Sequence, residues 1–201
     1  MTVDHIANVS CDTEQSTLKE ALMSPNSKEW QEAVDLEYNS LLENETWDLV
    51  DLPKDRKAIG SRWVFKVKHH NDGRVERHKC RLVAKGYSQM YGADYDETFS
   101  PVVRFSSIRT LLSFAVQNNL HVHQMGVVTA FLNGHLEEEI YMEQPEGYIK
   151  PGQEHLVCKL KKSIYGLKQS PHCWRKAFTE FMKDIGFKQS TSDPCVIVRS
   201  R

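Results

Sequence analysis

Three features that often reveal a protein's class are missing from this sequence. The five cysteines are scattered without a Cys-x-x-Cys pair, which excludes a paired-cysteine zinc module and favours reduced, structural thiols. No apolar run is long enough to cross a bilayer and the first residues are polar, so we expect a cytoplasmic protein with no signal peptide and no membrane contact. The net charge is −1, so total charge points to no partner and the distribution of charge matters more.

Histidine is more frequent than cysteine, but it gives only a weak indication of a metal site. The nine histidines include three groupings with candidate ligands, namely His69-His70, His121-x-His123 and His155-x-x-Cys158. A zinc site needs a second pair of ligands at a suitable spacing, and the sequence offers none. A structural role for these histidines is the favoured interpretation.

Apolar residues make up 40% of the chain, which supports an ordered core, and helical periodicity predicts four helices. We expect residues 1–17 to form a loose tail and Leu18–Met23 a short helix. A longer helix begins near Ser27. Its recurring positions are Trp30, Ala33, Val34, Glu37, Tyr38, Leu41 and Leu42.

Two further amphipathic helices are predicted, one after Pro101 with a cap at Ser106 or Ser107, and one from Ser170 to a stop at Gly186. The expected buried stripe of the first consists of Ile108, Leu111, Leu112, Ala115 and Val116. The expected inward positions of the second are Trp174, Ala177, Phe178, Phe181, Met182 and Ile185.

A change of period to two predicts a β-hairpin with strands at 61–70 and 74–86 and its turn at "NDG". Trp63, Phe65 and Val67 face one way, and Arg62, Val64, Lys66 and Lys68 face the other. The return strand adds Arg77, Lys79 and Arg81 to one face. Residues 60–86 carry eight Lys or Arg against two acidic residues, a net charge of +6. This basic face is either a solvated surface or a surface that contacts phosphates.

The remaining strands are shorter. We predict a strand at 121–128, "HVHQMGVV", followed by a short helix around 129–134. Further strands are expected at 140–143, 156–160 and 195–198. The predicted elements therefore include both helices and strands.

Long motifs within residues 18–198 closely resemble the reverse transcriptase of copia-type LTR retrotransposons. They are "SKEWQEAVDLEYNSLLENETWDLVDLP", "GSRWVFKVKHHNDGRVERHKCRLVAKGYSQMYGADYDETFSPVVR", "HQMGVVTAFLNGHLEEEIYMEQPEGY", "CKLKKSIYGLKQSP" and "DPCV". The resemblance implies an RNA-directed DNA polymerase of right-hand shape, with an α+β fold in which an antiparallel sheet packs on helices. Fingers would occupy 18–117, and a partial palm would occupy 118–201, truncated before a Tyr-x-Asp-Asp strand. It also implies an RNA or DNA primer–template and deoxynucleoside triphosphates (dNTPs) as partners. The chain would act with the rest of a Pol polyprotein, in the cytoplasm and in virus-like particles.

The resemblance also implies roles for individual residues. Lys66 or Lys68, together with Arg81, match cations that grip the triphosphate. Phe131 matches an aromatic gate against a 2′-hydroxyl, although a core phenylalanine is an equal alternative on residue type alone. Gln169, in "YGLKQSP", is the candidate for contact with template or nucleotide.

The sequence departs from the family at the metal site. The family holds two Mg²⁺ ions with an Asp at the position of Gly126 and with a later Asp-Asp pair, and Val127 matches a residue whose backbone carbonyl assists. Gly126 has two explanations: a strand glycine at a bulge or close backbone approach, or a lost metal ligand. The resemblance favours the second, and no Asp-Asp pair occurs in the chain.

The expected function follows from this departure. We expect a reverse transcriptase fragment that is catalytically inactive and does not bind Mg²⁺. One alternative is a non-catalytic nucleic-acid-binding module that uses the hairpin at 60–86. Another is a chain that does not fold stably, because an apolar strand edge stays exposed.

Overall fold

The computed structural model describes residues 15–199, so the predicted loose tail at 1–17 lies almost entirely outside the described part of the chain. The first helix, α1 (Leu18–Met23), has its predicted bounds. It begins where the Thr17 hydroxyl accepts a hydrogen bond from the Glu20 N–H at 3.1 Å, a normal N-terminal cap. No helix within residues 15–199 is long and apolar enough to cross a membrane.

Helix α2 (Ser27–Glu43) confirms the predicted long helix. The predicted stripe is buried at Trp30, Ala33, Val34 and Leu41. Leu42 was expected on this face but is exposed, whereas Glu37 is half-buried. A carboxylate on the packed side of the helix therefore needs partners.

The described residues contain seven strands, paired antiparallel in three separate sheets. They are β1 (Trp47–Val50), β2 (Ser61–His69), β3 (Val75–Ala84), β4 (His135–Met142), β5 (Val157–Lys162), β6 (Lys188–Gln189) and β7 (Ile197–Val198). The sheets have the orders β1-β5-β4, β2-β3 and β6-β7. Strands β4 and β5 were predicted and are longer than expected, and the expected strand at 195–198 is reduced to β7. Strands β1 and β6 were missed, because they are too short to show a period.

The hairpin of β2 and β3 confirms the prediction from period two. Trp63, Phe65 and Val67 are all buried, and α2 covers this side of the hairpin. The ring of Trp30 packs edge-on against the ring of Phe65, with centroids 5.3 Å apart. Burial of the apolar face by α2 leaves the opposite face of the hairpin to the solvent.

Helices α3 (Phe105–Gln117) and α4 (Ser170–Asp184) confirm two predicted helices, but the predicted inward faces are buried only in part. Within the expected stripe of α3 only Ala115 is buried, and Val116 is 81% exposed. The exposed apolar positions of α4 are Phe178, Phe181 and Ile185. An amphipathic pattern identifies the apolar face of a helix. Within residues 15–199, other elements cover the apolar faces of α3 and α4 only in part.

The N-terminus of α3 is held by a distant carboxylate, and not by the predicted serine cap. The Asp193 carboxylate accepts hydrogen bonds from the Ser107 hydroxyl at 2.6 Å and from the Arg104 N–H at 3.1 Å. These contacts, with the Cys195 N–H, hold the pKa of Asp193 below its ordinary value, and the Ser107 hydroxyl has the largest effect. The "DPCV" motif thus holds the N-terminus of α3 through the carboxylate of Asp193.

The predicted strand at 121–128 is also wrong. This segment is irregular and every residue in it is exposed. A strand needs a neighbour for its backbone hydrogen bonds, and none of the strands described within residues 15–199 pairs with it. The predicted short helix after it is confirmed as a 3-10 helix at Ala130–Asn133.

Candidate nucleic-acid interface

The outward side of the β2–β3 hairpin concentrates positive charge as the sequence predicts. We call its six cations the basic face: Arg62, Lys66, Lys68, Arg77, Lys79 and Arg81. The strand register places Lys66 directly opposite Lys79 and Lys68 directly opposite Arg77. Directly opposed side chains on one face of an antiparallel pair lie about 5 Å apart at their Cβ atoms, so like charges are held close together.

Like charges in this register destabilise a hairpin unless an anion lies between them or over them. Partial burial lowers the pKa of Lys79, the positive charges of Arg81 and Arg77 on the same strand lower it further, and the charge of Glu37 raises it. A phosphate group bound over these side chains would reverse the repulsion and favour the charged lysine. Binding of a polyanion would therefore reduce the charge repulsion on this surface of the hairpin.

Arg81 connects the basic face to the 3-10 helix through Tyr165. The guanidinium of Arg81 lies over the Tyr165 ring, 4.6 Å from its centroid, in a cation–π contact. The Phe131 ring meets the same tyrosine edge-on, with centroids 4.6 Å apart. Arg81 and Phe131, for which the resemblance implies contact with the nucleotide, therefore both contact Tyr165. Tyr165 was missed, since no local pattern shows a contact with Arg81.

Two glycines make this junction possible. The backbone N–H of Ala84, at the end of β3, donates to the Tyr165 carbonyl at 2.8 Å. Gly166 has a φ of +94°, and a Cβ added there would lie 2.1 Å from the Ala84 carbonyl oxygen. A Cβ on Gly86 would lie 2.0 Å from the Gly166 oxygen. Only glycine lets the two backbones approach this closely.

Replacement of Gly166 by alanine is expected to destabilise the chain strongly, because it adds a backbone overlap to an unfavourable φ. Gly152→Ala is the matched control: its φ is +79°, but nothing lies within 4 Å of an added Cβ. The control should cost about 1 kcal/mol in the free energy of unfolding, from φ alone. Urea denaturation should give a clearly larger loss for Gly166→Ala. Equal losses would contradict the close approach.

Gln169 lies in the interior and not on a surface. Its side chain is 1% exposed, accepts a hydrogen bond from the Gln89 amide at 3.0 Å and donates to the Asp94 carbonyl at 2.8 Å. Both ends of the amide are therefore occupied by the protein itself. Gln169 therefore connects the start of α4 to the segment at Gln89 and Asp94, and its contact with template or nucleotide stays a prediction.

The segment around Gly126 does not provide a magnesium site. Gly126 is exposed, and an added Cβ would meet nothing within 4 Å, so no close backbone approach requires glycine there. Val127 is 53% exposed and offers only its backbone carbonyl. Magnesium is held by carboxylate oxygens in octahedral geometry. Within residues 15–199 no three His, Cys, Asp or Glu side chains are grouped so as to hold a metal ion. The residues present do not fit a two-magnesium centre.

Comparison with known proteins identifies the class to which this fold and basic hairpin belong. Residues 44–201 match the family described as reverse transcriptase (RNA-dependent DNA polymerase). The chain is 50% identical over 188 residues to the Retrovirus-related Pol polyprotein from transposon TNT 1-94 of Nicotiana tabacum, covering 94% of the chain and 14% of that protein. It is 42% identical over 188 residues to the Pol polyprotein from transposon RE1 of Arabidopsis thaliana, covering 93% of the chain and 13% of that protein. No solved structure gives a significant match.

The chain belongs to the reverse transcriptase family. More particularly, it is a reverse transcriptase domain of the kind found in retrotransposon Pol polyproteins, and its similarity to plant copia-type elements confirms the resemblance in the sequence. It spans about one seventh of the length of the first two relatives. Its mixed α+β architecture with antiparallel sheets agrees with this family.

Proposed function

We propose that this reverse transcriptase domain binds nucleic acid through the basic face and does not catalyse nucleotide addition. The observation that carries the proposal is the register of the hairpin, which sets Lys66 against Lys79 and Lys68 against Arg77 on an outward surface. A fold that holds like charges face to face is stabilised by phosphates, and release of counterions from the nucleic acid favours binding further.

The inactive half of the proposal rests on Gly126. The family position for a metal-binding Asp has no side chain here, and the space around it is open. A Cβ would meet no obstacle, so glycine serves no packing purpose that the surroundings reveal. Loss of a ligand remains the better explanation, and the two Mg²⁺ ions of the family are not expected to bind.

The proposal includes finer assignments. Residues 18–117 would act as fingers and residues 118–201 as a partial palm of a right-hand polymerase. Lys66 or Lys68, with Arg81, would meet the phosphates of a dNTP or of a primer–template. Phe131 would lie beside the sugar, held there by its contact with Tyr165. The chain would work with the rest of a Pol polyprotein, in the cytoplasm and in virus-like particles.

Fluorescence anisotropy of a labelled RNA–DNA primer–template, titrated with the 201-residue chain at several salt concentrations, tests the binding half. The logarithm of the association constant should fall linearly with the logarithm of the salt concentration, because each phosphate contact releases about 0.9 counterion. Binding that is absent at low salt, or that does not respond to salt, would overturn the proposal.

A further inference from the structure

Glu37 is a half-buried carboxylate among the cations of the hairpin. It projects from α2 toward the outer edge of β3, where its Oε1 accepts a hydrogen bond from the Leu82 N–H at 3.3 Å. Glu37 lines one groove with Arg77 and Lys79, two cations of the basic face, and it lies near enough to Arg81 and Lys79 for their charges to lower its pKa. No other acidic side chain within the described residues 15–199 accepts a hydrogen bond from the backbone of β3.

The titratable groups around Glu37 include three cations. On β3 they are Arg77, His78, Lys79, Cys80 and Arg81, and on its own helix Glu43 lines the same groove. Burial raises the pKa of Glu37, while the Leu82 N–H, Arg81 and Lys79 lower it by less. The ionised form of Glu37 is thus stabilised by Arg81 and Lys79. It becomes less favourable when a bound anion neutralises these two cations.

We propose that Glu37 is an internal counter-ion of the basic face, and that a bound phosphate backbone competes with its carboxylate so that binding is accompanied by uptake of one proton on Glu37. The inference rests on the proposed binding function. The proton comes from the solvent and adds to a carboxylate oxygen, so the complex is one charge less negative at this position. The carboxylate then weakens the affinity for polyanions at neutral pH.

The sign of the pH dependence follows from linkage. A phosphate that neutralises Lys79 and Arg81 raises the pKa of Glu37 further, so the complex holds more protons than the free protein. Affinity must then increase as the pH falls through the interval above the ordinary glutamate value of 4.5. One proton taken up limits the gain to about tenfold in affinity for each pH unit within that interval.

The test compares the wild type, Glu37→Gln and the control Glu32→Gln, with a GC-rich DNA hairpin as the probe. Glu32 is exposed on the same helix, so both variants lose one negative charge. Glutamine at position 37 keeps an oxygen for the Leu82 N–H, and a thermal melt of each variant confirms folding. Affinities are measured by anisotropy between about pH 7.5 and about pH 5, and the carboxyl ¹³C shift of Glu37 is followed with and without the probe.

We expect Glu37→Gln to bind about three- to tenfold more tightly than the wild type near neutral pH, and to lose the part of the pH dependence that the wild type and Glu32→Gln share. The ¹³C titration of Glu37 should move to higher pH when the probe is bound. Identical pH dependence in all three proteins, with salt-sensitive binding intact, would overturn the role of Glu37 and leave the binding function standing. Absence of salt-sensitive binding in all three would overturn both.

Discussion

Replacement of Lys66, Lys68, Lys79 and Arg81 by alanine is expected to abolish most binding of a primer–template. Each cation that meets a phosphate contributes about one unit to the dependence of log affinity on log salt, so the slope should fall by roughly three to four. At low salt the affinity should fall by about a hundredfold or more, since this electrostatic term supplies most of non-specific binding. The folded structure should survive, because the replacements relieve like-charge repulsion between β2 and β3.

The control for this variant removes the same amount of charge elsewhere. Four exposed lysines outside the hairpin, Lys28, Lys54, Lys57 and Lys150, are replaced by alanine. If the basic face is the binding surface, this control keeps the wild-type slope and loses affinity only slightly. Equal losses in the two variants would mean that net charge governs binding, and that the arrangement on the hairpin contributes nothing.

The second large effect is the absence of DNA synthesis. With a labelled primer–template, dNTPs and either Mg²⁺ or Mn²⁺, the chain should give no extended primer above the level without protein. Metal ions contribute several kcal/mol to the stabilisation of charge in this chemistry, so an absent carboxylate ligand lowers the rate by about a thousandfold or more. A competent reverse transcriptase run in parallel shows that the reaction mixture works. Reproducible, template-dependent incorporation by this chain would contradict the assignment of Gly126 as a lost ligand.

The elements predicted best from the sequence are those with local signals. The hairpin has a period of two on both strands and a glycine turn, and its buried side matches the prediction at Trp63, Phe65 and Val67. Helix α1 has its cap, Thr17, next to its first residue. In such elements the residues that decide the structure are neighbours in the chain, so the pattern is sufficient.

The errors concern what packs against an element. The apolar patterns predicted a buried stripe on α3 and a strand at 121–128, yet Val116 and Val128 are both more than 80% exposed. A periodic pattern shows which side of a helix or strand is apolar, but a partner far away in the chain must cover that side. The same limit hid the Asp193 contact with α3, because Ser107 and Asp193 are 86 residues apart.

The candidate site was predicted in part. Lys66, Lys68 and Arg81 were placed on one outward face by alternation alone, and the structure confirms that face. Tyr165 and the Leu82–Glu37 hydrogen bond were not predicted, since each depends on a contact between elements. The position of Gly126 drew attention only through resemblance to a family, because an isolated glycine has no chemical signature of a lost side chain.

Photo-crosslinking tests most directly whether nucleic acid binds at the basic face. A primer–template with photoreactive uracil is irradiated with the 201-residue chain, and the crosslinked peptides are identified by mass spectrometry. We predict crosslinks concentrated in residues 60–86, and their loss when Lys66, Lys68, Lys79 and Arg81 are replaced. Crosslinks concentrated elsewhere, for example along the exposed face of α4, would contradict binding at the basic face.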